Sequence, residues 1–298
     1  MASNSISRQI QRNRINTIVV IVVFIVFISL IGALFAWLYN NISIFVWFFV
    51  ISAAYALFQY FAAAKLALSS SGARAVGPKE APRLYRIVEP LAQNAKIPMP
   101  QVYIVNDSAP NAFATGRDPS HAHIAATTGL LEIMDDNELR AVIGHELSHV
   151  KNYDIRINMI VFGLVALVGF IADFGLRIVF YGDNLRRNNE RGASPIGAVF
   201  VLIAAVLSPI AASLIQMAVS RQREYLADMS SAHLLGRSDD MINALRKLDS
   251  HARPMQQQNV ASESLYIANP LRPSILSHLF STHPPIEARI ERLENVKK

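Results

Sequence analysis

The chain has 298 residues, of which 52% are hydrophobic and only 17% charged, with a mean hydropathy of +0.28. An ordinary soluble domain carries about 25% charged residues, so this balance excludes a typical cytosolic globule, a disordered chain and a coiled coil, and the Gly and Pro contents exclude a collagen-like or Pro-rich fibre. The absence of cysteine excludes a disulfide scaffold, an iron–sulfur protein, a cysteine protease and a zinc site built on thiolates.

Half of the net charge of +6 comes from Arg8, Arg12 and Arg14, ahead of an apolar run. That pattern flanks a membrane span and does not make a nucleic-acid surface. From Thr17 to Ala64 there is no charged residue, and the run divides at Tyr39-Asn40-Asn41. Each part is about 20 residues, enough to cross a bilayer core. The first is too long for a signal-peptide core and a second follows at once, so the sequence predicts a transmembrane hairpin over 1–64. Trp37, Tyr39 and Trp47 flank its turn at interfacial positions. Lys65, Arg74, Lys79, Arg83 and Arg86 follow it, so the positive-inside rule places both of its ends in the cytoplasm.

Residues 65–156 read as a water-soluble segment of mixed structure. Leu84, Ile87, Val88 and Leu91 give Pro82–Ala95 a helical period. Val102–Val105, Asn111–Gly116 and His123–Thr127 are short β-type runs, predicted to form a small antiparallel sheet. Asp135 with Glu138 three residues on predicts a capping box opening a helix through Leu139, Val142 and Ile143. Met159–Tyr181 and Ala193–Val219 predict a second apolar hairpin over 157–219. Its loop carries Arg177, Arg186, Arg187 and Arg191 against Asp183 and Glu190, so it either spans under the dominance of the first hairpin or only dips into the bilayer. Residues 220–298 return to soluble composition, and Tyr181–Ser194 and His251–Ser274 read as polar loops.

The chemistry lies in His145-Glu146-Leu147-Ser148-His149. Two His four residues apart share a helix face, so both imidazoles reach one Zn²⁺ at about 2.0–2.1 Å. Glu146 then reaches the attacking water as general base and passes its proton to the leaving amine. A catalytic zinc needs a third protein ligand and an open position. Glu224 and Asp228 lie four apart beyond the last apolar stretch. Glu224 can complete the set while Asp228 orients a ligand His. The alternative is a plain charged helix face. Arg221 and Arg223 can pair with acids near the site. His121 and His123, an i,i+2 pair on a candidate strand, read as surface or cleft residues.

H-E-L-S-H at 145–149, S-R-Q-R-E-Y-L-A-D at 220–228, the two N-terminal spans and Ser281-Thr282-His283-Pro284-Pro285 together resemble the HtpX-type membrane zinc metalloproteases, relatives of the CAAX prenyl proteases. The resemblance implies an α-helical membrane protein with a mainly α metallopeptidase domain carrying a small antiparallel β-sheet, zincin-like in its HExxH helix. It implies one Zn²⁺ per chain on His145, His149 and Glu224, with Glu146 as base. It further implies a multi-pass protein of the bacterial inner membrane, its active site facing the cytoplasm, that acts on membrane proteins in stress-linked quality control. His283 matches the segment whose His stabilises the oxyanion in the wider clan. Asn111, Ala112 and Phe113 match the edge strand that holds an extended substrate, a plain core strand being the other reading. Two rival functions follow from the same residues: a scaffold whose zinc is structural, and a peptidase narrow for lipidated peptides. A structural zinc closes all four positions with protein ligands and has no use for Glu146. Four apolar segments are few for enclosing a lipidated chain.

Overall fold

The computed structural model describes residues 2–164, 166–167, 221–256, 265–268 and 284–296. His283 and the greater part of the second apolar stretch lie outside the described residues.

Helix α1 (Ala2–Leu38) and helix α2 (Ile42–Ser70) form the N-terminal hairpin. Asn40 takes the left-handed conformation at φ 49°, which Asn tolerates. Asn41 caps α2 by accepting from the Ser43 N–H. The helices run antiparallel, with Phe35 on Phe48 and Phe24 on Tyr55 at ring separations of 6.1 and 5.9 Å. Gly32 permits a close approach: a Cβ there would lie 2.4 Å from that of Phe48. Both helices are long and apolar enough to cross a membrane, over Ile10–Trp37 and Ile42–Ser70. Ile18, Leu30, Trp37, Trp47 and Phe58 stand exposed on them. The hairpin's inner side packs on a helical stretch at 154–164 through Val20, Phe24, Ala56, Ile157 and Val161.

A four-stranded sheet follows: β1 (Ala73–Ala75), β2 (Gln101–Val105), β3 (Ala112–Gly116) and β4 (Ala122–Thr127), in the order β1-β2-β4-β3. The antiparallel expectation is corrected here, because β4 pairs parallel with β2 while β3 pairs antiparallel with β4. The loop after β2 throws β3 one position too far, and the returning strand fills the gap in the direction of β2. Helix α3 (Pro82–Ala95) has the predicted bounds, Pro82 starting it and Lys96 ending it at φ 59°. A 3-10 turn at Pro119–His121 joins β3 to β4, and helices α4 (Thr128–Ile133), α5 (Asp136–Lys151), α6 (Arg221–Leu235), α7 (Asp239–Ser250) and α8 (Ile286–Val296) follow.

Helix α5 is buried along nearly its whole length. Its Leu139, Val142, Ile143 and Leu147 join Leu84 and Val88 of α3, Ile124 of β4 and Leu245 of α7 in the main core. Each such side chain contributes about 1.5–3 kcal/mol by leaving water. Gly129, in α4, presses against the loop that carries the chain from β2 to β3. A Cβ there would sit 2.1 Å from the Ser108 carbonyl oxygen. Backbone cannot rotate aside as a side chain can, so Gly129→Ala is expected to cost about 1–3 kcal/mol. A thermal melt followed by circular dichroism checks this, and an unchanged midpoint would contradict the close approach.

Candidate active site

Helix α5 is fixed at both ends. The Asp135 carboxylate accepts from the N–H groups of Asn137 and Glu138, and Glu138 accepts from the Asp135 N–H at 2.8 Å. Lys247 of α7 clamps the box, donating to Glu138 at 2.6 Å. At the far end Tyr153 adopts φ 62°, costly for a bulky side chain. The guanidinium groups of Arg14 and Arg156 lie over its ring at 4.9 and 4.8 Å. This turn brings Asp154 back onto the last turn of α5.

The fixed helix presents His145, Glu146 and His149, all largely buried. Their Nε2 atoms stand 3.1 Å apart, and Glu224 of α6 offers carboxylate oxygens 3.7 Å from His145 and 3.5 Å from His149. The Nδ1 of His145 meets Asp228 at 2.9 Å, and that of His149 meets Asp154 at 2.9 Å. Ligands at about 2.0–2.1 Å around a tetrahedral ion are about 3.3–3.4 Å apart. The observed separations therefore fit one metal ion. The charges fit as well, since two imidazoles whose Nδ1 sides face carboxylates turn their other nitrogens toward a third carboxylate, a set short of positive charge. Burial lowers the proton affinity of His149, but Asp154, Glu224 and Glu146 outweigh it and push the imidazole up to about 9. A proton thus serves in the metal-free chain where a metal cation would serve in the loaded one.

Glu146 lies 2% exposed beside this cluster. Burial raises its carboxyl above the usual range; the two imidazoles pull it back, Glu224 adds to the rise, and a hydrogen bond from the Ala114 backbone lowers it. A carboxylate with raised proton affinity is suited to accept a proton and release it again.

The guanidinium at Asp228 belongs to Arg289 of α8, whereas Arg221 stands exposed at the start of α6. Arg289 is 1% exposed and grips Asp228 with two bonds of 2.6 and 2.8 Å. Burial pushes the Asp228 carboxyl up, but Arg289 and His145 hold it down at about 2. Arg223 reaches Asp154 at 3.4 Å. Asn13 of α1 also reaches Asp154, donating to it at 2.6 Å and to the Asn152 carbonyl at 2.9 Å. Sequence reading misses Arg289, Asp154 and Asn13. Only Asp154 carries a hint, an acid just past the HExxH helix.

Asn111, Ala112 and Phe113 are buried at the start of β3. The chain's own segment 265–268 lies along that edge. Ile267 N–H donates to Ala112 O at 3.0 Å, Asn111 Nδ2 donates to Ala268 O at 2.8 Å, and Phe113 meets Tyr266 edge-to-face at 4.9 Å. Leu265, Tyr266 and Ile267 wall the cleft over His145, Glu146, His149 and Glu224, leaving about 10 Å³. That admits a water or an ion and no peptide.

An HExxH helix whose two His converge with a Glu from a second helix, beside a buried carboxylate, defines a metallopeptidase. Residues 78–297 match the model of peptidase family M48, and the chain belongs to that family. It is 49% identical over 287 residues to a protease HtpX homolog of Tropheryma whipplei, covering 96% of this chain and 97% of that one. To the homolog of Streptococcus gordonii it is 44% identical over 293 residues, covering 97% and 99%. The crystal structure of S. mikatae Ste24p matches with a TM-score of 0.50 at 20% identity, over 84% of this chain and 58% of that chain, a likeness of fold. The protein is a membrane metalloendopeptidase, and its substrates are proteins.

Proposed function

We propose that this protein is a zinc endopeptidase of the bacterial inner membrane, cleaving membrane proteins, misfolded ones among them, on the cytoplasmic side with Glu146 as general base. The convergence of His145, His149 and Glu224 within 4.8 Å of one another, beside buried Glu146, carries the reading. Two imidazoles and a carboxylate without thiolate suit a catalytic zinc. When bound, the metal supplies a Lewis acid that polarises the scissile carbonyl and acidifies a water molecule.

The chain's own residues do the rest. Asp228 and Asp154 keep the Nδ1 protons in place, so that both Nε2 lone pairs face inward. Glu146 takes the proton of the attacking water at its carboxylate and delivers it to the leaving amine nitrogen. His283 donates to the developing oxyanion. A substrate strand pairs with β3 at Asn111–Phe113 once segment 265–268 has given way. The charge pattern supports the cytoplasmic side. The N-terminal part of α1 also docks, through Asn13, on the turn that follows α5, which supports the hairpin's start and the catalytic domain lying on one side.

The test uses detergent-purified protein and an unfolded model protein as substrate. About one zinc per chain, loss of cleavage on chelation and recovery with Zn²⁺ are expected; cleavage that survives complete metal removal overturns the reading. The zero-cysteine background permits a test of sidedness. In inverted vesicles a membrane-impermeant maleimide should label Lys79→Cys and spare Asn41→Cys. The pH dependence follows from His149. Metal must displace its proton below about 9, so apparent affinity should fall about tenfold per unit as pH drops from there and level off above it. Competitive titration between pH 6 and pH 9 measures the slope.

A further inference from the structure

A second cavity, of about 390 Å³, lies between the end of α2 and the β3–β4 turn, and no residue of the metal cleft lines it. Lys65 of α2, Arg117 of the turn and Arg156 of the stretch after α5 border it. The Arg156 Nε donates to the Arg117 carbonyl at 2.5 Å, which brings the two residues together. Their guanidiniums lie over adjacent rings of α2, Arg117 over Phe61 at 5.2 Å and Arg156 over Tyr60 at 5.8 Å. Among the described residues no carboxylate pairs with Lys65 or Arg156. Asp118 is taken by His121 at 2.7 Å and Arg117 at 3.6 Å. His123 also lines the cavity, and its Nδ1 is buried without a hydrogen-bond partner among the described residues. Burial first, and then the charges of His121 and Lys65, lower its proton affinity. Phe61, Met159 and Ile160 give the same cavity an apolar border.

Depth narrows the ligand. Lys65 is the first charge after a run that has none from Thr17 to Ala64. With that run in hydrocarbon, Lys65 stands at the level of the lipid phosphates. Two guanidiniums and an ammonium suit a phosphate, and the apolar border suits glycerol and the first acyl carbons. We propose that this cavity binds the phosphate headgroup of an anionic phospholipid, seating the catalytic domain against the bilayer surface. A free phosphate shares the charge but leaves the apolar border unused.

The test is native mass spectrometry of the full-length protein in detergent, titrated with phosphatidylglycerol, phosphatidylcholine and inorganic phosphate. One phosphatidylglycerol per chain is expected, held at least tenfold more tightly than phosphatidylcholine and not displaced by millimolar phosphate. Lys65→Gln with Arg117→Gln should weaken it about 25-fold, about fivefold per charge. Arg74→Gln with Lys79→Gln, an equal charge change outside the cavity, should leave it within twofold. Melting point and metal content verify folding; should the first pair unfold, Lys65→Gln alone, on an exposed side chain, carries the fivefold expectation. Equal loss in both pairs, equal binding of the two lipids, or displacement by phosphate each overturns the assignment.

Discussion

Glu146→Gln is expected to keep its metal and lose cleavage by about 10³-fold, within the 10²–10⁴ that a positioned general base contributes. The metal should stay because the converging cluster proposed to hold it consists of His145, His149 and Glu224, without Glu146. The fold stays because the amide oxygen of Gln still accepts from the Ala114 backbone N–H, as the carboxylate does. What is lost is the buried carboxylate beside the cluster, whose proton affinity burial raises. A loss of 10³ is about 4 kcal/mol of barrier, far more than a shift in substrate affinity would produce. It should therefore fall on kcat, with KM nearly constant. Metal-free Glu146→Gln should melt no lower than the metal-free wild type, because a buried carboxylate of raised proton affinity costs stability when ionised. Metal analysis and steady-state kinetics on the same preparation decide the matter. A variant that cleaves at more than a tenth of the wild-type rate rules Glu146 out as base; one that loses its metal makes it part of the ligand shell instead.

Local patterns made much of this architecture legible. Helix α3 occupies Pro82–Ala95 because its apolar period and its Pro start coincide, and the Asp135/Glu138 box opens α5 as its spacing requires. The four-residue spacings in α5 and α6 put His145 with His149 and Glu224 with Asp228 on single faces, and packing α6 on α5 closes the gap between them. Pairing direction was not legible, since parallel and antiparallel strands share a period of two. Strand β1 is the short Ala-Arg-Ala, partnered along β2 with no apolar pattern of its own. Arg289 lies 61 residues from the Asp228 it holds, on a helix whose sequence reads as an ordinary charged surface. Such contacts depend on how helices stack, and no spacing along one helix encodes them.

The same reasoning gives Asn13→Leu the second large effect. Asn13 belongs to the membrane hairpin and is 1% exposed. Its amide donates to Asp154 Oδ1 at 2.6 Å, and Asp154 Oδ2 meets His149 Nδ1 at 2.9 Å. Leu has the same branched shape as Asn and favours the helix more, so α1 should persist. Asp154 then keeps only Arg223, at the longer distance of 3.4 Å, as described support for Oδ1. Its grip on the imidazole loosens. Partners that orient a ligand His contribute about 10–100-fold in metal affinity, and a loss in that range is expected. Asn13→Asp should do worse, setting a second carboxylate against the first. Thr17→Val, one turn along α1, removes, among the described residues, only the bond from the Thr17 hydroxyl to the Asn13 carbonyl and should leave the affinity unchanged. Competitive Zn²⁺ titration and the visible spectrum of the Co²⁺ form read the site without recourse to activity. Binding within twofold of wild type in Asn13→Leu would show that the membrane helix merely anchors the domain. The expected loss would mean that the bilayer hairpin holds one side of the metal centre in place, and that a catalytic fragment starting after α2 should bind metal as weakly as the variant.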